Sequence, residues 1–133
     1  MILVDTTLLI DLQRGPQNAM RKAAEAWLEN HPNEPLGIPS IVMGEFSEGF
    51  EDPDHPLLMK YRSGYPVIPV DGVVASRCGV LSRKLRRSGI SIGANDTWIA
   101  ATALAVNSRL LTRNSGHFIR VPELQLEIYG DTG

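Results

Sequence analysis

The strongest constraint on the fold is the opening stretch Met1–Ile10, MILVDTTLLI. Ile2, Leu3 and Val4 run apolar without alternation, the pattern of a strand buried on both faces. Asp5 ends that run. Leu8, Leu9 and Ile10 then change period, as in the first turns of a helix. A carboxylate therefore stands at the carboxyl end of a buried strand, on a strand-to-helix turn. In open α/β sheets that edge is where ligands bind. Asp5 also suits a helix N-cap, a role that needs no chemistry.

The same alternation continues along the chain. Thr7–Gln13 predicts a short helix stopped by Gly15-Pro16. Pro16 suits the first turn of a second helix, Gln17–Asn30, whose inner face is Met20, Ala24, Trp27, Leu28 and His31. The two prolines of His31–Pro35 mark a loop. Leu36–Ile38 is a second strand, and Ser40 is a suitable N-cap for a helix from Ile41 to Phe50 that carries Glu45. A loop, Glu51–Pro56, precedes a short helix Leu57–Ser63 capped by Gly64. Pro66–Val70 reads as a third strand, kept short by Pro69.

Asp71 then caps a long helix, Gly72–Ser88, closed by Gly89. Val74, Cys78, Leu81 and Leu85 form its apolar stripe, and Arg77, Arg83, Lys84, Arg86 and Arg87 fall off it. Ile90–Gly93 is a linker. Asn95-Asp96 open a helix to Val106 that is apolar almost all round, as buried helices are. Arg109–Thr112 is a fourth strand, Asn114–His117 a turn, and Leu124–Ile128 an edge strand. The expected fold is a single domain over 1–133: an α/β/α sandwich around a mainly parallel sheet of about five strands. Right-handed crossovers put all the strand carboxyl ends on one side.

Composition narrows the function. At 133 residues, 43% of them hydrophobic, the chain is long enough for a real core. A net charge of −2 argues against gripping nucleic acid by bulk charge and leaves room for a local basic patch. Cys78 is the single cysteine, so no internal disulfide forms, which fits a reducing cytoplasm. The N-terminus has no basic region and its apolar stretch is broken by Asp5, so it does not read as a secretory signal. No run reaches the roughly 18 apolar residues of a membrane helix.

Asp5, Glu45 and Asp96 are thus expected to meet in one cleft. Asp96 also suits a first helical turn, and Glu45 a solvated helix face. Carboxylates packed together repel and raise one another's pKa values unless a cation sits among them. Hard divalent cations with oxygen ligands fit such a set, and Mg²⁺ needs only one or two carboxylates plus water and substrate phosphate. The implied chemistry is hydrolysis of a phosphodiester.

The ordered motifs VDTTLLID (Val4–Asp11), SIVMGE (Ser40–Glu45), NDTWIAA (Asn95–Ala101) and LTRNSGHF (Leu111–Phe118) resemble the PIN-domain family, specifically the toxin ribonucleases of VapC type. The resemblance spans nearly the whole chain. It implies that Asp5, Glu45 and Asp96 are catalytic, metal-binding acids taking Mg²⁺ or Mn²⁺, and that Thr7 is a small hydroxyl residue supporting the site. Asn114 falls where many members have a fourth acid. It offers a carbonyl oxygen without negative charge and cannot be a general base, so its role, like that of Thr112, is accessory. The resemblance further implies an endoribonuclease that is the toxin of a type II toxin–antitoxin pair. Its partners would be RNA, a small antitoxin whose tail occupies the cleft, and a second copy in a homodimer.

The basic face carrying Arg83, Lys84, Arg86 and Arg87 is the candidate RNA contact, since phosphate binding needs such a patch, although a solvated helix face looks the same. His31, His55 and His117 read as structural or solvent-facing. Two other readings compete. A haloacid-dehalogenase-type phosphatase also begins with an Asp after a buried strand, but needs a second Asp where this chain has Thr7. A non-catalytic PIN-like binding module would be favoured by Asn114 alone.

Overall fold

The computed structural model describes residues 1–130. Five strands and seven helices alternate. In order they are β1 (Ile2–Val4), α1 (Thr6–Leu12), α2 (Ala19–Asn30), β2 (Leu36–Pro39), α3 (Ser40–Ser47), α4 (Pro56–Gly64) and β3 (Val67–Ile68). Then follow α5 (Gly72–Arg87), α6 (Ala94–Ala105), β4 (Arg109–Thr112), α7 (Ser115–Phe118) and β5 (Leu126–Ile128). The strands form one parallel sheet in the order β3-β2-β1-β4-β5, flanked by helices. The chain winds outward from β1 in one direction through β3, then returns to add β4 and β5 on the other side. The reversal lies between β1 and β4, and crevices form at such a switch point. Asp5 follows β1 directly, and its amide extends the β1–β4 pairing by donating to the Leu111 carbonyl at 2.9 Å.

The core follows from the strand pattern. Ile2, Leu3, Val4, Leu110 and Leu111 are all at or near zero exposure, because β1 and β4 are covered on both faces. Every member of the predicted α5 stripe, Val74, Cys78, Leu81 and Leu85, is buried. That stripe packs α5 along α6, whose Ile99, Ala100, Ala101 and Ala103 are fully buried. Trp27 joins the core and stacks on His31, with ring centroids 4.0 Å apart. No helix among the described residues is long and apolar enough to cross a membrane.

Several element ends differ from the sequence expectation. The second helix starts at Ala19 rather than Gln17: the Asn18 side chain accepts from the Met20 and Arg21 amides, and this cap outcompetes Pro16 as the starting point. Ser40 is the first residue of α3 and not its cap, since Pro39 with φ −57° already leads into the helix, and α3 stops at Ser47, short of Phe50. Gly64 lies inside α4. The helix is ended instead by Pro66, which forces Tyr65 into extended backbone (φ −137°, ψ 149°). At the other end of α4, His55 is the cap, its Nδ1 accepting from the Leu57 amide at 3.1 Å. The third and fifth strands are trimmed to Val67–Ile68 and Leu126–Ile128, and Asn114–His117 leads into the short α7 instead of forming a simple turn.

Candidate active site

The site grows from the β1–α1 turn. Asp5 caps α1, and its Oδ1 accepts from the Thr6 amide at 2.7 Å. Its Oδ2 accepts from the Thr112 hydroxyl at 2.7 Å and the Thr7 hydroxyl at 3.3 Å. Asp5 is only 3% exposed, yet all three donors are neutral. Burial therefore pushes its carboxyl above the ordinary value. The bonds from Thr112, Thr6 and Thr7 pull the other way, and the negative charge of Asp96 pushes it up again.

Asp96 reaches this edge because α6 begins there. Gly93 adopts φ 89°, a left-handed conformation that a side chain disfavours, and turns the Ile90–Gly93 linker into the helix. Asp96 then lies in the first turn, where the helix dipole favours an anion. Its Oδ2 accepts from His117 Nδ1 at 2.7 Å. Glu45 comes from the second turn of α3. Its Oε1 accepts from the Thr6 hydroxyl at 2.7 Å and its Oε2 from the Asn95 amide at 3.3 Å. Glu45, Asn95 and Asp96 line one open cavity of about 440 Å³ together with Ile92, Gly93 and Ala94.

The three acids reach the same edge by different routes, and Asp5 does not line the cavity that Glu45 and Asp96 share. The charge of Asp96 acts on Asp5 through space, whereas Glu45 is linked to the β1–α1 turn through Thr6. Among the described residues, no three His, Cys, Asp or Glu side chains close into a ready-made metal cage. The donor set nevertheless suits a hard cation: a buried carboxylate bonded only to neutral donors, with a second carboxylate opposing it. Mg²⁺ asks for no more protein ligands than that.

The PIN domain family matches residues 2–124 of the chain. The chain belongs to the PIN-domain family. It is 33% identical over 126 residues to Ribonuclease VapC10 of Mycobacterium tuberculosis, covering 94% of this chain and 91% of that protein. It is 30% identical over 129 residues to Ribonuclease VapC1 of Methanocaldococcus jannaschii, covering 96% and 86%. Among solved structures it is similar to VapBC2 from Rickettsia felis bound to a DNA fragment from its promoter. The TM-score is 0.81 at 28% identity, covering 98% of this chain and all of that one.

In this PIN domain the other singled-out residues sort clearly. Thr7 and Thr112 both bond Asp5. Asn114 sits just beyond β4 on the same rim, where its amide donates to Thr112 Oγ1 at 2.9 Å, while its side chain caps nothing. Arg83, Lys84, Arg86 and Arg87 are all exposed, and none joins an ion pair among the described residues. Of these four, Arg86 lines a groove of about 660 Å³ between α5 and α6, with Ser82, Ser91 and Trp98. Ile92, Gly93 and Ala94 border both this groove and the acidic cavity, so the two adjoin.

Sequence reasoning missed Thr6 and His117 as partners of Glu45 and Asp96. The signals were present in VDTT and LTRNSGHF, but contacts across 39 and 21 residues are set by the fold.

Proposed function

We propose that this PIN domain is an endoribonuclease, the toxin of a type II toxin–antitoxin pair, and that it cleaves RNA phosphodiester bonds with a divalent cation, Mg²⁺ or Mn²⁺. The observation that carries the reading is Asp5: a buried carboxylate at the sheet's switch point, bonded only to neutral donors and opposed by Asp96. Ribonuclease relatives covering nearly the full chain support it. Asp5, Asp96 and Glu45 would hold the cation. When bound, it supplies positive charge for the phosphate oxygens and makes water acidic enough to attack the phosphorus.

The chain's own residues do the rest. Thr7 and Thr112 fix the rotation of the Asp5 carboxylate from one side, so that its acceptor directions are set before any ligand arrives. Thr6 and Asn95 hold Glu45 at the mouth of the cavity. His117 orients Asp96. Asn114 has no charge to give and serves only as a neutral acceptor or donor at the rim. The groove beside Arg86 and Trp98 gives the RNA strand a path away from the acids, with a cation for phosphate and an indole face for a base.

The phosphatase alternative loses ground at Thr7. Its hydroxyl points at Asp5, where that mechanism needs a carboxylic acid. The partner is a small antitoxin, a reading the VapBC neighbours support, and in this proposal its tail would fill the acidic cleft. Val73 and Val80 are more than half exposed on α5, and such apolar surface supports a homodimer. A reduced Cys78 and an RNA substrate both fit the cytoplasm.

The test is cleavage of total RNA by purified protein. Activity is expected with Mn²⁺ or Mg²⁺, to vanish in EDTA, and to return when the ion is restored. Cleavage that persists in EDTA overturns the metal reading. An aspartyl-phosphate on Asp5 overturns the nuclease.

A further inference from the structure

A second buried carboxylate lies in the last turn of α1, the helix that the first one caps. Asp11 is fully buried, and each of its oxygens is used. Oδ2 accepts from Arg113 Nε at 2.7 Å and from the Tyr129 hydroxyl at 2.7 Å. Oδ1 accepts from Arg14 Nε at 2.8 Å and Arg113 Nη2 at 3.2 Å. The donors come from the turn just after α1, from the β4–α7 connection and from the residue after β5. One side chain on the chain's first helix thus ties down its last strand.

Arg113 adjoins both residues whose side chains bond Asp5 Oδ2, Thr112 in the chain and Thr7 through its amide. Before it, Thr112 donates its hydroxyl to Asp5 Oδ2 and accepts from the Asn114 amide. The Arg113 amide itself reaches Thr7 Oγ1 at 3.4 Å, and that hydroxyl donates to the same Asp5 oxygen. Both side-chain bonds to Asp5 Oδ2 therefore come from groups adjoining Arg113. A guanidinium gripped by two bonds to one carboxylate has little freedom to rotate. The backbone it belongs to is held with it.

We propose that Asp11, Arg113 and Tyr129 are positioning residues, which act through Thr112 and Thr7 to hold the Asp5 carboxylate in the orientation that takes a divalent cation; the inference rests on the metal-dependent reading above. The alternative is a tie that only stabilises the fold. The two differ in what a folded variant does. A positioning role changes cation binding and turnover at acids that these three side chains do not hydrogen-bond, Asp5, Glu45 and Asp96. A purely structural role changes unfolding alone.

Tyr129→Phe removes one bond and keeps the ring, and Arg113→Lys keeps the charge but loses the fork. In the full chain, Mn²⁺ binding is measured from the electron paramagnetic resonance signal of the free ion, RNA affinity in EDTA, and cleavage in single turnover. Both variants are expected to weaken Mn²⁺ binding and slow cleavage by about tenfold, the usual size for groups that orient metal ligands, with RNA affinity unchanged. Where Arg113→Lys does not fold, Tyr129→Phe decides. Folded variants that lose urea resistance yet bind Mn²⁺ and cleave like the wild type overturn the proposal, as does a wild-type protein that binds no Mn²⁺. A wild type that binds Mn²⁺ but leaves RNA intact sinks the ribonuclease reading, while Mn²⁺ binding still decides this one.

Discussion

Asp5 and Asp11 are both buried aspartates, one the cap and the other in the last turn of the same short helix, and their surroundings push them in opposite directions. Burial raises both. At Asp11 the bonds from Arg113, Arg14 and Tyr129 outweigh it and hold the carboxyl below its ordinary value. At Asp5 two hydroxyls and an amide do not suffice, Asp96 adds repulsion, and the carboxyl stays raised. The difference is the presence of a cationic partner. Asp11 has its counter-charge built into the chain, and the result is a tie between distant segments. Asp5 has none, and a buried anion without a counter-charge costs stability unless a cation is supplied from outside. One carboxylate anchors the backbone beside the other, which is held ready for a ligand.

Neutralising each aspartate breaks that comparison most directly. Asp5→Asn, at nearly unchanged volume, is expected to abolish RNA cleavage, and Asp96→Asn to do the same. Asp5→Asn should also raise stability at neutral pH. A raised folded pKa means the native state binds the proton more tightly, so stability falls as pH rises from the ordinary value near 3.8 through the raised one. The asparagine variant escapes that loss. Wild-type cleavage in either variant, by gel assay, removes the residue from the mechanism, and lower urea resistance of Asp5→Asn contradicts the account of its burial.

Asp11→Asn should do the reverse. It is expected to lose about 3 kcal/mol in urea unfolding, the low end for breaking a buried pair because Arg113 and Arg14 retain contact with water. The lowered pKa of Asp11 gives a contribution present above the ordinary value of 3.8 and lost as pH falls through the folded one. The variant should therefore show a flatter stability profile in acid. An unchanged acid limb would assign acid unfolding to other carboxylates.

Glu45→Gln sharpens the contrast from the other side, since Glu45 is bound to the site through Thr6 and is not wholly buried. Its removal is expected to shift the Mn²⁺ dependence of cleavage to about tenfold higher concentration. An unshifted titration makes it a bystander. The smallest effect belongs to Arg86→Gln. It should weaken RNA binding modestly and lower the slope of log affinity against log salt by about one. An unchanged slope would place the strand elsewhere.

Much of this was legible in the residues. The apolar run of Ile2–Val4 ending in Asp5 announced the central strand and the acid at its carboxyl end, and the stripe Val74, Cys78, Leu81, Leu85 announced the packed face of α5. Thr7 was readable as a supporting hydroxyl. Element ends were less legible: Asn18 and Pro66, not Pro16 and Gly64, set the limits of their helices, because a cap or a neighbour's ring decides among several permissible stops. Asp11 stood in plain view within VDTTLLID, yet nothing local marks it as buried. On a helix surface it would be an ordinary solvated acid.

The sequence alone determined the alternation of strands and helices, and with it the single edge to which Asp5, Glu45 and Asp96 are brought, since hydrophobic period and turn chemistry are local properties. Only the tertiary structure decided which carboxylate has a counter-charge. Arg113 and Tyr129 lie 102 and 118 residues from Asp11 along the chain, and pairing over that distance depends on strand order and burial, which no local pattern encodes.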